Sequence, residues 1–536
     1  MTKFLSALTR LFRSKVPKRS AIASGAEPDE MSRMVTDLIA LVPSAFDEGP
    51  ESMASLGQAL HEAGLVQLQR GFPAQSDIAL SAAVELGFEA PHLAYNLALA
   101  CNRSGQAKRA HEYFELAQTD PAKDREGDGY HLRNAHAVEN ITLSDLKRIA
   151  GQWTDRHIKG INPHTYAIRR TDKKKLRVGL LSARFCRHAV GFLTLAGLEN
   201  VDPSKIEFVL YANNSPKDDY TDRFKSVAAA WYVLDELDND AVVALIRSHD
   251  LDILIDMAGH STGGRMDVFA RKPAPVQAKW AGGQHGTTGL SAIDFFITDR
   301  VETPSDHDTH FFETPIRMPN AYACYSPPSD APPVSALPWT KNGHVTFGCF
   351  NNIAKLSTGT LSTWAKILSA VPDSRLVLKH FALSEPETRD RLALQFSALG
   401  ISSERLDLRA PSGHTSHLES YGDIDIALDP FPWSGCVTTC ESLWMGVPVL
   451  TLPGVAFCHR HSASFLSAIG LNDWIAENQD DYVSKAIAQA RNPQTLGPTR
   501  SGLRAQVAAS PLCDAHRFAR DFENVLFEMY RSGTGT

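Results

Sequence analysis

The chain lacks any run of about 18 uncharged apolar residues, the length a helix needs to cross a bilayer, so no membrane-spanning helix is expected. No secretory leader pattern is evident. Basic excess is also missing: 54 Lys and Arg stand against 61 Asp and Glu, a formal net charge of −7, which argues against a general nucleic-acid binder that must neutralise phosphates. The eight cysteines are scattered without a C-x-x-C pair, which indicates neither a zinc site nor a disulfide scaffold and fits a reducing cytoplasm. What is present is apolar content for several cores. With 536 residues and 43% hydrophobic composition, two or three domains are expected, because single cores stop growing near roughly 250–300 residues.

The chain changes character along its length. Residues 1–19 carry Phe4, Leu5, Leu8, Leu11 and Phe12 at helical spacing among Lys3, Arg10, Arg13, Lys15, Lys18 and Arg19. This basic amphipathic segment reads first as a frayed terminus and second as a helix making weak membrane-surface contact. Residues 20–50 are polar and mixed and read as a linker, so 1–50 form one N-terminal stretch. Helical patterning then runs through 51–165. At an offset of 34 residues, Gly64 matches Ala98, Leu80 matches Phe114 and Ala83 matches Ala117, and Pro121 closes the second unit. Small residues facing large apolar ones at this period are the mark of tetratricopeptide (TPR) repeats, so 51–165 is expected to be a TPR-like helical domain. It reads equally as a recognition surface for an acceptor or partner and as a structural cap.

From Leu176 onward, short β-rich runs alternate with helices: LRVGLLSA, IEFVLYAN, DILIDMAG and FFITD in 176–326, then HVTFGCF, SRLVLKH, RLDLRA, DIALDP and VPVLTLP in 340–510. A proline-rich break from Pro327 to Pro338 separates the two series. Strands alternating with helices imply parallel, doubly wound sheets. The expected fold is therefore α/β with two Rossmann-like halves facing a cleft, where ligands meet the carboxyl ends of the strands. Residues 511–536 form a last helix, roughly Cys513 to Arg531, suited to packing on either half.

Candidate chemistry gathers at those strand ends. After DIALDP, a turn at Gly435 enters a helix carrying Thr438, Thr439 and Glu441; its N-terminal N–H groups and positive dipole end suit a diphosphate, and Glu441 suits ribose hydroxyls. The ordinary reading is N-capping by Ser434 or Thr438. Lys355 stands just past the strand HVTFGCF, where an ammonium stabilises a departing phosphate. His417 precedes another buried strand and suits a base or a phosphate. In the first half, His188 follows LRVGLLSA at a strand-to-helix turn and suits a general base or an acceptor hydroxyl. His260 and Arg265 follow DILIDMAG, and the glycine-rich WAGGQHGTTG brings Gln284, His285, Thr287 and Thr288, with glycines that permit close backbone approach. The two DxD strings, Asp238–Asp240 and Asp423–Asp425, read as a helix cap and a strand start rather than metal ligands. Lysine and helix dipole then neutralise the diphosphate, and no metal is expected.

Several long strings in order give a resemblance over about Tyr130 to Asn492: DMAGHSTGGRMDVFARKPAPVQAKWAGG, TTGLSAIDFFITD, FGCFNNIAKLSTGTLSTWAKIL, IDIALDPFP and TTCESLWMGVPVLTLPG. They resemble the TPR-containing O-linked N-acetylglucosamine transferases and the plant SPINDLY proteins. That resemblance implies a GT-B fold and an inverting, metal-independent transfer of sugar to Ser or Thr hydroxyls of proteins. By position, Lys355 matches the lysine that steadies the leaving diphosphate, Asn352 a donor-contacting residue, His417 a histidine near the nucleotide, and His188 the active-site histidine. Val437 and Thr438 fall where two phosphate-binding threonines are expected, Glu441 on a ribose-binding acid, and Arg460 on an arginine after the next strand. Cys436 and Val437 depart from the family pattern, so the diphosphate grip leans on backbone N–H groups and Thr438. GGQHGTTG in place of the commoner GYPGTTG leaves His260, Gln284, His285 and Thr287 as candidate acceptor or sugar contacts. The donor implied is UDP-GlcNAc. The alternatives are GDP-fucose or a bacterial sugar nucleotide, as in flagellin glycosylation, a catalytically inactive TPR adaptor, and a transferase acting on lipid or polysaccharide.

Overall fold

The computed structural model describes residues 30–118, 125–166, 173–213 and 216–533. The basic segment 1–19 and Pro121 lie outside the described residues. The chain divides into two compact units, one made of residues 1–139 and 348–413 and the other of residues 140–347 and 414–536.

The first unit begins with helices Glu30–Ala40 and Val42–Glu48. These occupy the stretch read as linker. Met31, Val35 and Leu38 recur at helical spacing and are buried with Leu56, Leu60 and Ala63, which gives this polar-looking segment an apolar face and a core to join. The two repeat units follow as helix pairs Pro50–Arg70 with Pro73–Glu85, and Leu93–Arg103 with Ala107–Ala117. The 34-residue correspondence has a packing cause. A Cβ on Gly64 would stand 2.6 Å from Leu80 Cγ, so the small residue admits the large one, and their counterparts Ala98 and Phe114 share one core cluster. Helix Arg125–Ala135 packs behind them. This block sits on Gly348–Gly413. Glu385 accepts from Ala74 N at 3.0 Å and Gln75 N at 3.3 Å, occupying the N-terminal donors of helix Pro73–Glu85, and a Cβ on Gly105 would lie 2.9 Å from Ile353.

The second unit holds a seven-stranded parallel sheet: β1 (Leu176–Ser182), β2 (Ile206–Ala212), β3 (Ala230–Val233), β4 (Ile253–Asp256), β5 (Val276–Lys279), β6 (Phe295–Asp299) and β7 (Thr314–Met318), ordered 3-2-1-4-5-6-7. Register is continuous from Leu176 beside Ile206 to Ser182 beside Ala212. Order reverses at β1, the position where such sheets bind ligands. Four of these strands are those read from sequence; β3, β5 and β7 are additional. Helix Leu143–His157, at the end of the helical stretch, belongs with this sheet: Trp153 is buried among Leu181, Val209, Tyr211 and Leu254. The last helix, Ala515–Gly533, packs on the first half. Phe522 lies 4.6 Å from Trp280, and Glu523 pairs with Lys205 at 2.8 Å.

The second sheet has five strands, β8 (Thr346–Cys349), β9 (Arg375–Lys379), β10 (Leu406–Arg409), β11 (Ile426–Leu428) and β12 (Val449–Leu450), ordered 10-9-8-11-12. All five were legible in the sequence. Asp425, ahead of β11, accepts from Thr346 N at 2.8 Å and Trp339 N at 2.9 Å, and Asp238 caps helix Asn239–Ser248 through Ala241 N, so one aspartate of each DxD string works in the fold.

Candidate active site

In the second unit, β11 runs into Asp429, which is buried and divides its carboxylate between Gly435 N at 2.6 Å and Thr451 Oγ1 at 2.7 Å. A Cβ on Gly435 would fall 2.4 Å from Thr439 Oγ1 and 2.8 Å from Asp429 Oδ1, so only glycine fits this turn. Helix Val437–Trp444 follows. Its N-cap, Cys436, gives no side-chain cap, and Ser434 is spent on Cys458 O at 3.1 Å, so the capping expected of Ser434 or Thr438 is not what starts this helix. Thr439 is buried against Ser462 Oγ at 2.7 Å, whereas Cys436, Val437 and Thr438 are partly exposed. The exposed first turn presents backbone N–H groups and the positive dipole end outward.

One turn further in, Glu441 is buried between two histidines of the short helix His414–Glu419. His414 Nε2 lies 2.9 Å from Oε1 and His417 Nε2 3.5 Å from Oε2. Burial alone pushes this carboxyl up, but the two histidines outweigh it and hold it below the usual range. The bond to Glu441 raises His414 above its ordinary value. The site sits against the first half. His414 stacks on Phe192 at 5.7 Å with rings 6° from parallel, and Tyr322 reaches Cys436 Sγ at 3.8 Å. His414 and Tyr322 were missed from sequence. His414 was findable, since His-x-x-His puts both rings on one helix face.

His188 caps helix Ala189–Leu198, the helix that also carries Phe192, its Nδ1 accepting from Val190 N at 3.4 Å. The residue is exposed, yet the surrounding protein, with Arg184 nearby, lowers its pKa to about 4. The imidazole is therefore neutral near pH 7, and with Nδ1 accepting, its proton resides on Nε2.

The other first-half candidates are engaged in the fold. His260 lies edge-on to Trp153 at 4.3 Å and donates to Thr288 O at 2.8 Å, with burial lowering its pKa to about 4. Gln284 accepts from Ala281 N at 2.5 Å and donates to Ile297 O at 2.7 Å. Thr287 donates to Glu313 at 2.7 Å, a buried acid that Thr288 N also bonds. His285 holds Cys458 N through its carbonyl at 3.1 Å and sets its ring edge-on to Trp433 at 5.1 Å. The glycines of WAGG admit backbone: a Cβ on Gly282 would lie 2.1 Å from Met257 O and one on Gly283 2.0 Å from Ala258 O. Beneath them Lys279 and Asp256 form a fully buried ion pair at 3.0 Å that fixes both strand ends. Arg265 bonds Asn213, Asn239 and two backbone carbonyls. Arg460 donates to Val301 O at 2.6 Å and Gly454 O at 3.0 Å, beside His461, which meets buried Glu302 at 2.6 Å.

In the first unit, Asn352 and Lys355 lie in the turn after β8. Asn352 is exposed and caps Ala354 N at 3.0 Å; Lys355 Nζ lies 3.4 Å from Asn351 Oδ1. The end of β9 adds two groups not singled out from sequence: Lys379, buried and bonded to Ser412 at 2.7 Å, and His380, whose pKa falls to about 3 through burial and the charge of Lys355. Two lysines and a histidine thus gather at the carboxyl ends of neighbouring strands, an electropositive patch suited to an anion.

The model of glycosyl transferase family 41 matches residues 154–325 and 337–522. A probable UDP-N-acetylglucosamine–peptide N-acetylglucosaminyltransferase SPINDLY of Solanum lycopersicum is 35% identical over 386 residues, 71% of this chain and 41% of that protein. The corresponding probable transferase SEC of Arabidopsis thaliana is 29% identical over 67% of this chain and 37% of its own length. The chain thus spans about two-fifths of the length of such curated relatives. Among solved structures, a mutant O-GlcNAc transferase of Thermobaculum terrenum superposes with a TM-score of 0.83 at 28% identity, covering 95% of this chain and 99% of that one. A GT-B architecture of two parallel-sheet halves, with a helical block preceding them in sequence, agrees with that likeness, and the match over most of both halves places this chain in glycosyl transferase family 41.

Proposed function

We propose that this chain is an inverting protein O-glycosyltransferase that moves N-acetylglucosamine from UDP-GlcNAc to Ser or Thr hydroxyls of protein acceptors. The observation that carries this reading is the family-41 match across both halves, joined to relatives whose names state that donor and a peptide acceptor. The acceptor oxygen bonds to the sugar's anomeric carbon, the bond from that carbon to the diphosphate oxygen breaks, the hydroxyl proton is lost and UDP leaves. Backbone N–H groups from Cys436 to Thr438 receive the diphosphate, Glu441 receives the ribose, and Lys355 steadies the leaving charge. Catalysis needs no metal in this scheme.

His188 positions the acceptor or donor by donating from Nε2. Support comes from its lowered pKa and from Val190 N, which occupies Nδ1. His188→Gln, which keeps a donor, is expected to retain more turnover than His188→Phe. A turnover profile that loses its acid limb in both variants would instead make His188 the base.

The helical block supplies part of the acceptor surface, and residues 1–19 add weak membrane-surface contact. A cytoplasmic location suits eight cysteines of which none forms a disulfide. None of the described helices is long and apolar enough to cross a membrane. The deciding experiment incubates the purified full chain with UDP-GlcNAc or GDP-fucose and an extract from cells lacking the enzyme, reading intact protein masses and released nucleotide. A mass gain of one N-acetylhexosamine supports the assignment; a deoxyhexose gain moves the donor to GDP-fucose. Donor binding without nucleotide release would replace the enzyme with an adaptor.

A further inference from the structure

Outside the strand-end sites, one cluster of ligating side chains stands apart in the helical block. His111 and Glu115 are four residues apart on helix Ala107–Ala117 and share a face, while His131 comes from the next helix, Arg125–Ala135. His131 Nε2 lies 3.3 Å and His111 Nε2 3.8 Å from Glu115 Oε1, and the donor atoms of the three residues all fall within 4.8 Å of one another. Tetrahedral zinc holds nitrogen and oxygen ligands at roughly 2.0–2.2 Å, which sets the ligand atoms roughly 3.4 Å apart. The spacing fits with small side-chain adjustment.

A second observation points to a ligand. His131 is 2% exposed, yet its Nε2 makes no hydrogen bond among the described residues. Its ring is held by Phe114, stacked at 5.8 Å, and by His111 at 5.1 Å, so the nitrogen is aimed rather than free to turn away. A buried nitrogen that stands 3.3 Å from a carboxylate without an aligned hydrogen bond is poorly satisfied, and ligation satisfies it. Glu115 is 43% exposed in its side chain, which gives an ion an entry path and leaves room for water as a fourth ligand.

We propose that His111, Glu115 and His131 bind one zinc ion that staples helix Ala107–Ala117 to helix Arg125–Ala135. Imidazole and carboxylate suit zinc or its spectroscopic substitute cobalt rather than magnesium or calcium. The site is structural. It lies in the helical block and takes no part in the sugar transfer proposed above, on which it does not depend.

The test uses the full chain, stripped with a chelator and desalted, then titrated with Zn2+ by calorimetry and with Co2+ by visible absorption. One saturable tight site per chain is expected, with the intense bands of tetrahedral cobalt and a melting temperature raised by roughly 5 °C when free zinc is about 100 times Kd. His111→Gln and Glu115→Gln alter partly exposed side chains, and circular dichroism checks that they fold. Both should weaken zinc binding at least tenfold and lose the tetrahedral bands. Tight binding retained by both folded variants, or no saturable site in the unaltered chain, overturns the proposal.

Discussion

Lys355 extends from a three-residue turn, its Nζ 3.4 Å from Asn351 Oδ1, and its charge helps to lower the pKa of His380. Lys355→Ala is expected to lower kcat by about 10²–10³-fold, the usual loss for one group that stabilises developing charge, in a variant whose fold is checked by circular dichroism. Equal turnover in the variant would remove Lys355 from the diphosphate. Glu441 is the opposite case, a buried acid whose charge is maintained by neighbours. Glu441→Gln should raise the donor KM about tenfold, the ratio that roughly 1.4 kcal/mol of lost binding gives. Its stability signature depends on pH. The contribution through His414 is present below its unfolded value of 6.5 and fades as pH rises through the higher folded one; that through Glu441 is present above 4.5 and fades as pH falls through the lower folded one. The melting difference between wild type and Glu441→Gln should peak between about pH 4.5 and 6.5. A difference that stays flat from acid to alkaline pH would deny the histidine–carboxylate coupling.

Among elements, helix Pro73–Glu85 depends on a residue far away in sequence. Glu385 fills the donors at its N-terminus, and Gln75 Nε2 adds a bond to Glu387 at 3.0 Å. Glu385→Ala should cost about 1–2 kcal/mol, as the loss of a helix cap does, and shift the urea midpoint accordingly. An unchanged midpoint would mean that this contact carries no stability. Elements also show where sequence patterning fails. Strand β5, VQAK, is buried at every position although Gln277 and Lys279 read as surface residues; Gln277 bonds Phe269 O and Ala292 O, and Lys279 pairs with Asp256. Strand β3 lies at the sheet edge, half-exposed, and β7 carries Pro315 as its second residue. Strands β5 and β7 break the alternating or continuous apolar run by which strands are read, whereas β3, AWYV, keeps it but is only four residues long. LRVGLLS, in the middle of the sheet, was legible because it is a buried run rich in aliphatic residues.

At the scale of the molecule, buried neutral histidines make the fold acid-sensitive. His136, 2% exposed and donating to Leu132 O at 2.9 Å, and His260 both have pKa values lowered by burial to about 4. Their unfolded value is 6.5, so as pH falls from about 6.5 toward 4 the unfolded chain takes up protons that the fold refuses, and stability drops. His136 accounts for on the order of 3 kcal/mol of this loss. Urea unfolding at pH 7 and pH 5 should show the decline, and a folded His136→Gln variant should show less of it. Matching pH slopes in the two proteins would place the acid sensitivity elsewhere.

The sequence by itself determined the fold class, because periodic apolar runs report strands and helices directly and their alternation permits few topologies. It also determined the family, through long ordered strings, and the 34-residue repeat, whose small and large residues meet as Gly64 and Leu80 do. Tertiary structure alone decided which polar residues are spent on the fold. Gln284, Thr287, His260 and Arg265 have the chemistry of ligand contacts, yet their bonds go to backbone and buried partners. The converse is Glu441 with His414 and His417, and His131 with His111 and Glu115, where segments or neighbouring helices converge on one point. A side chain's chemistry is fixed by its identity, but its partners are fixed by distances that only the folded chain sets.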